Sequence, residues 1–352
     1  MYGLARSLLF TLSPTAAHAF GHAALGVLER ASPLRFLASG LFAAHDPRSR
    51  VRAMGLDFPS PVGLAGGFDK NAACPKSLAS LGFGFLELGT VTARAQEPNP
   101  SPNLFRLPAD RALINRLGFP NDGAAAVVAR FAAAGGRPAL GIPVGFSIGK
   151  SRVVEVGDDP APVVADYLES FRAVAPVSDF VVVNVSSPNT KNLRALQGPE
   201  LARALLGALS RENAGAKPLL LKIAPDLSNG ELDAVLEVVA DVGFAGVIAT
   251  NTTLGRAGLV TPQSELDAIG AGGLSGPPLA ARAREVVRLV RNKLGGGATI
   301  IGVGGISTGD DARAMLDAGA DLVQLYTSFI YRGPTAASDI ARELLAVTES
   351  RG

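Results

Sequence analysis

The stretch FVVVNVSSPNT, residues 180–190, joins an apolar run to a cluster of amides and hydroxyls. The run Phe180–Val183 is rich in β-branched residues, as expected of a strand that is buried on both faces. Asn184, Ser187 and Asn189 follow where that strand would end. In parallel α/β folds the carboxyl ends of strands carry the ligand sites. The stretch therefore predicts a neutral, hydrogen-bonding rim that suits a planar, polar ligand.

Short apolar runs of this kind recur along the chain from about residue 50, with helix-like segments between several of them. The eight runs are Val62–Ala65, Phe85–Leu88, Leu140–Val144, Phe180–Val185, Leu219–Ile223, Val247–Ala249, Ile300–Val303 and Leu322–Leu325. Eight such units over roughly 300 residues predict a (β/α)8 TIM barrel, with an open doubly wound sheet as the alternative. The longest gaps, Gly89–Pro138 and Asn251–Ala298, are expected to form excursions above the barrel mouth.

Polar or glycine-rich residues stand just beyond the carboxyl ends of nearly all these runs. They are Gly66, Gly67, Phe68, Asp69, Lys70, Gly89, Thr90, Ser147, Asn184 to Asn189, Lys222, Thr250 to Thr252, Gly304, Gly305, Tyr326 and Thr327. In a parallel barrel all strand ends share one face. We therefore expect these residues to surround a single site.

Two of the strand ends resemble phosphate-binding turns. Gly302–Ser307 and Gln324–Ser328 follow strands seven and eight, whose loops often bind phosphate in such barrels. The helix from about Thr308 is expected to point N–H groups at the ligand, and Gly276 is a further candidate. The alternative is that the glycines only form tight turns.

Two lysines suggest charges in the site. Lys222 ends an otherwise apolar run and could stabilise negative charge on a reduced flavin ring. The alternative is a lysine at the edge of the core whose ammonium extends to solvent. Lys70 follows Asp69 in a glycine-rich turn and could neutralise an anionic substrate, unless the two form a surface ion pair.

The predicted barrel contains no histidine to act as a general base. The histidines of the chain are His18, His22 and His45. Ser187 is the best remaining candidate because Asn184 and Asn189 can orient a substrate against it. The alternative is a strand-end hydroxyl in a local turn. Cys74 lies in a helix-like segment and is expected to be a packed small residue.

Composition excludes several classes of protein. A formal charge of +2 gives no electrostatic surface for nucleic acid, and a single cysteine cannot form an intramolecular disulfide. His, Cys and carboxylate residues show no spacing typical of metal ligands, so no metal is expected. A Walker loop, a Rossmann fingerprint and a Gly-x-Ser-x-Gly elbow are all missing from the sequence.

The first 45 residues form a separate pattern of short amphipathic helices. Apolar residues recur at helical spacing from Leu4 to Leu12, from Ala17 to Leu28 after Pro14, and from Leu34 to Leu41. No run reaches the roughly 18 to 20 residues that span a bilayer. The segment could pack on the core, could lie on a membrane with Arg6, Arg30 and Arg35 near lipid phosphates, or could be a cleaved signal peptide.

Taken together, the motifs resemble those of the dihydroorotate dehydrogenase family, in order and over nearly the whole chain. They are Gly66 to Lys70, Glu87 to Thr92, Asn115 to Phe119, Asn184 to Thr190, Lys222 to Asp226, Thr250 to Thr253, Gly272 to Gly276 and Ile300 to Ile306. Cytosolic members use a cysteine base and the quinone-linked, membrane-associated class 2 uses a serine, which Ser187 matches. That class also has an N-terminal helical extension, so the resemblance favours membrane contact around a quinone entrance. It implies a helical segment over residues 1–45 and an FMN-binding catalytic barrel over residues 46–352.

The resemblance also implies the ligands and their contacts. One FMN per chain would touch Gly66, Gly67, Phe68, Asp69, Lys70, Thr90, Asn184, Lys222, Thr250, Gly276, Gly305, Tyr326 and Thr327. Ser147 stands where the family usually has asparagine, which leaves its contact with the flavin open. Dihydroorotate would be held by Lys70, Asn115, Arg116, Leu117, Gly118, Phe119, Asn184, Asn189, Asn251 and Thr252. His18 and Arg106 match positions that line the quinone tunnel.

The implied activity is the oxidation of (S)-dihydroorotate to orotate in pyrimidine (UMP) biosynthesis. Ser187 would take a proton from C5 while a hydride passes from C6 to the flavin, and a quinone would be the final electron acceptor. We expect a monomer without nucleic-acid partners, bound peripherally to the cytoplasmic face of a bacterial inner membrane. The rival functions are another flavin barrel such as a 2-hydroxy-acid oxidase, a phosphosugar isomerase or synthase, and a non-catalytic phosphate-binding scaffold.

Overall fold

Eight parallel strands close into a barrel, which confirms the predicted TIM barrel and excludes the open sheet. The computed structural model describes residues 2–43 and 46–351. His45 and the predicted domain boundary beside it lie outside the described residues, so the division of the chain at that point stays a prediction. The order of strands around the barrel is β10-β12-β13-β3-β4-β7-β8-β9, and β9 pairs with β10 to complete the ring.

The strands and helices follow one another along the chain in the alternation that the sequence predicts. The strands are β1 (Val51–Ala53), β2 (Leu56–Phe58), β3 (Val62–Leu64), β4 (Leu86–Val91), β5 (Leu104–Leu107), β6 (Ala112–Asn115), β7 (Val144–Ile148), β8 (Phe180–Asn184), β9 (Leu219–Ile223), β10 (Gly246–Ala249), β11 (Gly273–Ser275), β12 (Thr299–Val303) and β13 (Leu322–Leu325). The helices are α1 (Tyr2–Thr11), α2 (Pro14–Arg30), α3 (Ser32–Phe42), α4 (Pro75–Ala79), α5 (Ala124–Ala133), α6 (Ala161–Val174), α7 (Pro199–Asn213), α8 (Asn229–Asp241), α9 (Gln263–Ile269), α10 (Ala280–Leu294), α11 (Gly309–Asp317), α12 (Thr327–Arg332) and α13 (Ala336–Arg351).

The third barrel strand lies further along the chain than predicted. The apolar run at 140–144 was expected to be the strand, but β7 begins only at Val144. Leu140 and Ile142 pack against the core from a turn in which Gly141 has φ +68°, a left-handed conformation that departs from regular strand geometry. As a result Ser147 lies inside the strand and not beyond its end.

The two long gaps contribute the predicted excursion above the mouth. Strands β5 and β6 come from the first gap and β11 from the second, and they form one three-stranded antiparallel sheet. The edge strand β11 pairs with the central strand β6, where Gly273 lies opposite Asn115. This pairing brings the two excursions together over the strand ends.

Large aromatic side chains fill the amino-terminal half of the barrel. Phe85 and Phe180 are fully buried in its interior, and Phe58 of the hairpin β1–β2 packs edge-on against Phe85. Glycines on the neighbouring strands make room for them, because a Cβ on Gly63 would lie 2.4 Å from the Phe85 ring and one on Gly145 would lie 2.1 Å from the Phe180 ring. This end of the barrel is packed, so the opposite end carries the space for a ligand.

Helices α1 to α3 confirm the predicted amphipathic helices, and their apolar surface is mostly exposed. Phe36 is 84% exposed, and the described part of α2 contains no fully buried residue. The other exposed large apolar residues of these helices are Leu8, Leu12, Phe20, Val27, Leu34, Leu37 and Leu41. Among the described residues no helix is long and apolar enough to cross a membrane. Arg6 donates to the Tyr331 carbonyl, and Arg35 donates to carbonyls at the end of α2. Because a guanidinium has five N–H donors, contact of these residues with lipid phosphates stays a prediction.

We predict that Phe180→Ala lowers the free energy of unfolding by about 3–5 kcal/mol, because it leaves a cavity in the closed end of the barrel. Phe36→Ala removes the same ring from an exposed position and should change stability by less than about 0.5 kcal/mol. Urea unfolding followed by far-UV circular dichroism measures both. Similar losses in the two variants would contradict the packed barrel interior.

Candidate active site

A single cleft opens at the carboxyl end of the barrel and holds most of the predicted site residues. It is partly open to solvent, and glycine-rich turns and polar strand-end residues line it. The predicted residues that line it are Gly66, Gly67, Lys70, Thr90, Asn115, Leu117, Gly118, Phe119, Asn184, Ser187, Asn189, Lys222, Thr250, Asn251, Thr252, Gly276, Gly305, Tyr326 and Thr327.

Four of the residues considered for contact with FMN or dihydroorotate do not line this cleft. The Asp69 carboxylate accepts the N–H groups of Ala73 and Cys74 and so fixes the turn before α4. The Ser147 hydroxyl lies behind the cleft, 2.9 Å from the Thr90 hydroxyl. The Arg116 guanidinium donates to the carbonyls of 269 and 271 and therefore holds the excursion sheet rather than the cleft. Phe68 faces the neighbouring apolar cavity described below.

Neutral hydrogen bonds connect the polar rim. The side-chain amide of Asn184 donates to the Thr90 hydroxyl at 2.9 Å, and its Oδ1 accepts a hydrogen bond from the side chain of Asn251 at 3.3 Å. Asn189 donates to the side chain of Asn115 at 3.1 Å. These bonds fix the direction in which each amide presents its remaining donors and acceptors. The rim is therefore preorganised for a ligand with several amide-like groups.

Ser187 lies on this rim and is 5% exposed. Its Oγ accepts the main-chain N–H of Asn189 at 3.2 Å, so the local turn that the sequence allowed as an alternative is present. That bond uses an oxygen lone pair and leaves the hydroxyl hydrogen for another partner. Cys74 is buried beneath α4, and burial raises the pKa of its thiol, which confirms a packed residue rather than a nucleophile.

The floor of the cleft carries a buried ion pair that the sequence analysis did not identify. Lys222 Nζ lies 3.1 Å and 3.2 Å from the two carboxylate oxygens of Glu87, and Gln324 donates to the same carboxylate at 2.9 Å. Glu87 is completely buried. The sequence contains a signal for this pair, because a glutamate within the apolar strand β4 requires a partner when it is buried.

Glycines and small hydroxyl residues form the other end of the cleft. Gly276 and Gly305 have φ angles of +107° and +74°, and a Cβ on either would press against main-chain atoms within 3.0 Å. The Ser328 hydroxyl is buried and has no partner among the described residues. It offers a donor to a phosphate group, and because Thr327 donates to Ser275 Oγ at 2.8 Å, the Ser275 hydroxyl keeps its hydrogen as a second donor. These residues fit the phosphate of FMN.

Helix α11, which follows strand β12, does not point N–H groups into this end of the cleft, so the prediction that it does is wrong. The Asp311 carboxylate accepts hydrogen bonds from the main-chain N–H groups of Ser307 and Thr308. The main-chain N–H of Asp311 donates to the Thr308 hydroxyl. The Gly309 N–H donates to Glu343. Because the first turn of α11 is already capped, its N–H groups do not point at a ligand.

An apolar cavity of about 340 Å³ lies between the N-terminal helices and the barrel. His18 and Arg106 both line it, and Phe68 forms part of its wall. Tyr326 lines this cavity as well as the cleft, so its ring stands between the two spaces. The guanidinium of Arg106 lies 4.6 Å from the centre of the Phe10 ring and donates to main-chain carbonyls of α1 and the residue after it.

The histidines of this cavity are neutral at physiological pH. Burial is the main reason that the pKa of His18 falls to about 3, and His22 and Lys70 lower it further. Burial also lowers the pKa of His22, whose ring stacks on Phe68 with centroids 5.1 Å apart. The two histidines therefore add no charge to the mostly apolar wall, which suits an apolar occupant.

Lys70 is the cation nearest to the polar rim on the side of the first loop. Its Nζ donates to the Gly67 carbonyl at 2.6 Å. Burial lowers the pKa of Lys70 to about 8, with Asp69 opposing the shift. Its charge is therefore present at neutral pH and available to an anionic ligand.

A barrel with a phosphate-type end, a charged floor and a neutral amide rim fits a flavin-type barrel oxidoreductase. The chain belongs to the dihydroorotate dehydrogenase family, whose profile matches residues 49–348. Curated relatives called "Dihydroorotate dehydrogenase (quinone)" include one from Rhodococcus opacus (strain B4), 48% identical over 100% of this chain and 96% of its own. Another, from Clavibacter michiganensis subsp. michiganensis, is 49% identical over 99% of both chains. A crystal structure of DHODH from Eimeria tenella with ferulenol superposes with a TM-score of 0.85 at 34% identity, covering 97% of this chain and 93% of that one.

We predict that a carboxylate ligand of the cleft binds more weakly as the pH rises past 8, because Lys70 loses its charge there. The dissociation constant of orotate should rise roughly five- to tenfold between pH 8 and 9. Titration of the bound chromophore with orotate between pH 6.5 and 9.5 measures it. Lys70→Met should bind weakly throughout and show no inflection. An inflection that persists in this variant would assign the titration to another group.

Proposed function

We propose that this chain oxidises dihydroorotate to orotate with bound FMN as the hydride acceptor and a quinone as the final electron acceptor, in pyrimidine biosynthesis. One observation carries the proposal. A single cleft brings together Ser187, Lys70, Lys222 and the asparagine rim, which are distant in sequence. The family membership gives this combination its chemistry.

FMN supplies a ring that accepts a hydride and later releases two electrons. We assign its phosphate to Gly276, Gly305 and Thr327, at the glycine-rich end of the cleft. Lys222 and Thr90 belong to the end nearer the barrel floor and would hold the ring. A lysine beside the ring favours the negative charge that reduction adds.

The asparagine rim and Lys70 would hold the substrate. Dihydroorotate has one carboxylate and a ring with amide-like groups, which match the ammonium of Lys70 and the neutral amides of Asn115, Asn189 and Asn251. Because the amides already bond to one another, substrate binding requires little further ordering of side chains.

Ser187 is proposed as the base that takes the proton from C5 of the substrate. It lines the cleft beside the asparagines, and the described part of the barrel contains no histidine, with Cys74 buried and protonated. The main-chain N–H of Asn189 donates to Oγ and so stabilises the negative charge that develops there. A proton relay from Oγ to solvent is required for turnover.

The apolar cavity is proposed as the quinone route. It extends from the N-terminal helices to Tyr326, and its wall contains Arg106 and the uncharged ring of His18. The exposed apolar residues of α3, with Leu37 60% and Leu41 65% exposed, would rest in the lipid surface beside its entrance. We infer a monomer that binds peripherally to the cytoplasmic face of a bacterial inner membrane and has no nucleic-acid partner.

We predict that Ser187→Ala slows reduction of the bound flavin by dihydroorotate by about 10²- to 10⁴-fold, because the proton then has no acceptor. Anaerobic stopped-flow absorbance at the flavin band measures the rate. FMN content and reoxidation by quinone should stay unchanged, since Ser187 does not contact the apolar cavity. A near-normal reduction rate would remove Ser187 from the mechanism.

We predict that Leu37→Glu with Leu41→Glu abolishes binding to anionic lipid vesicles, because two carboxylates then replace the apolar face of α3. Turnover with a long-chain quinone in vesicles should fall at least tenfold, while turnover with a water-soluble quinone persists. The matched control is Val153→Glu with Val260→Glu, two residues of the barrel that are 78% and 74% exposed. Equal loss of vesicle binding in both double variants would refute membrane contact through α3.

A further inference from the structure

The charged floor of the cleft joins three strands across the inside of the barrel. Glu87 lies on β4, Lys222 on β9 and Gln324 on β13, and none of these strands pairs with another of the three. Their side chains nevertheless meet, with Lys222 Nζ 3.1 Å and Gln324 Nε2 2.9 Å from the carboxylate of Glu87. The cluster therefore crosses the interior directly beneath the cleft.

The carboxylate of Glu87 acts only through its two partners. Lys222 and Gln324 line the cleft, whereas Glu87 does not and is completely buried. The space for the carboxylate is built into the fold, because a Cβ on Gly66 would lie 2.2 Å from Glu87 Oε1. A buried carboxylate that two donor groups hold through three contacts is fixed in position.

Gln324 is oriented by the same contact. Its amide nitrogen donates to Glu87, so its Oε1 must point away from the carboxylate. That oxygen is buried and has no partner among the described residues. The orientation of Gln324 thus leaves an acceptor for a ligand N–H next to the cation of Lys222.

We propose that Glu87 is a positioning residue that sets the reduction potential of the bound flavin through Lys222 and Gln324. The inference rests on the proposed function, because it takes FMN as the occupant of the cleft. A reduced flavin carries more negative charge than an oxidised one, so a nearby positive charge favours reduction. The carboxylate of Glu87 offsets most of the charge of Lys222 and keeps the potential low enough for electrons to pass on to the quinone.

The test is the midpoint potential of the flavin in full-length, FMN-bound Glu87→Gln. This change keeps the shape and leaves the charge of Lys222 without its partner. The ratio of reduced to oxidised flavin at a fixed potential should rise at least tenfold, a shift of about +30 mV for a two-electron couple. Equilibration with a reference dye, read from the two visible spectra, measures it.

The matched control is Glu237→Gln. Glu237 also pairs with a lysine, Lys293 at 2.8 Å, but on the protein surface with the glutamate side chain 62% exposed. Its removal should leave the potential within a few millivolts of the original protein.

A merely structural role for Glu87 predicts a different result. The melting temperature and the FMN content of Glu87→Gln would fall, and the potential of the flavin that remains bound would not move. An unmoved potential overturns the inference and leaves the proposed function intact. Unsubstituted protein purified without any flavin would instead count against the proposed function.

A second pair of variants keeps the test available if Glu87→Gln does not retain FMN. Lys222→Gln leaves the carboxylate in place, and Lys222→Gln with Glu87→Gln removes both charges. The potential of the single variant should lie below that of the double variant, because only the single variant keeps a negative charge beneath the ring. Equal potentials would overturn the inference.

Discussion

Parallel pairing between β9 and β10 completes the ring of eight strands, and the position of every functional side chain depends on that closure. Parallel strands in a closed barrel must all end at the same rim. Residues as distant in sequence as Gly66 and Tyr326 therefore line one cleft. The aromatic packing of Phe85 and Phe180 fills the other end of the barrel. The fold thus allows one large ligand site along the barrel axis.

In the cleft, the buried ion pair of Lys222 and Glu87 lies apart from the neutral amides and hydroxyls of the rim. The rim above the strands holds amides and hydroxyls that bond to one another, whereas the ion pair of Lys222 and Glu87 lies below them in the interior. A charge is costly to bury without a partner, so the pair and Gln324 belong together. The apolar cavity behind Tyr326 has uncharged histidines in its wall, and the guanidinium of Arg106 there is bonded to main-chain carbonyls. Two ligands of opposite polarity can therefore approach the same space from different sides.

Much of the fold and the site was predictable because strand ends leave local signals. Short β-branched runs predicted eight strands, and the polar residues after them predicted the rim, including Ser187 and Lys222. The third strand was placed too early because Leu140 and Ile142 are apolar through packing outside the barrel. Arg116 sits within a motif that lines the cleft, yet its own side chain turns to carbonyls at the end of α9 and in the turn before β11. A sequence pattern does not record the direction in which a loop side chain points.

The sequence by itself determined the barrel, the family and the chemical types of the site residues, since periodicity and motif order are properties of the chain. Only the tertiary structure decided which side chains meet. Glu87 and Lys222 contact each other across the barrel although their strands do not pair, and the first turn of α11 is occupied by Asp311 and Glu343 rather than by a ligand. Contacts between distant segments depend on strand order, register and side-chain direction, and these arise only when the chain closes on itself.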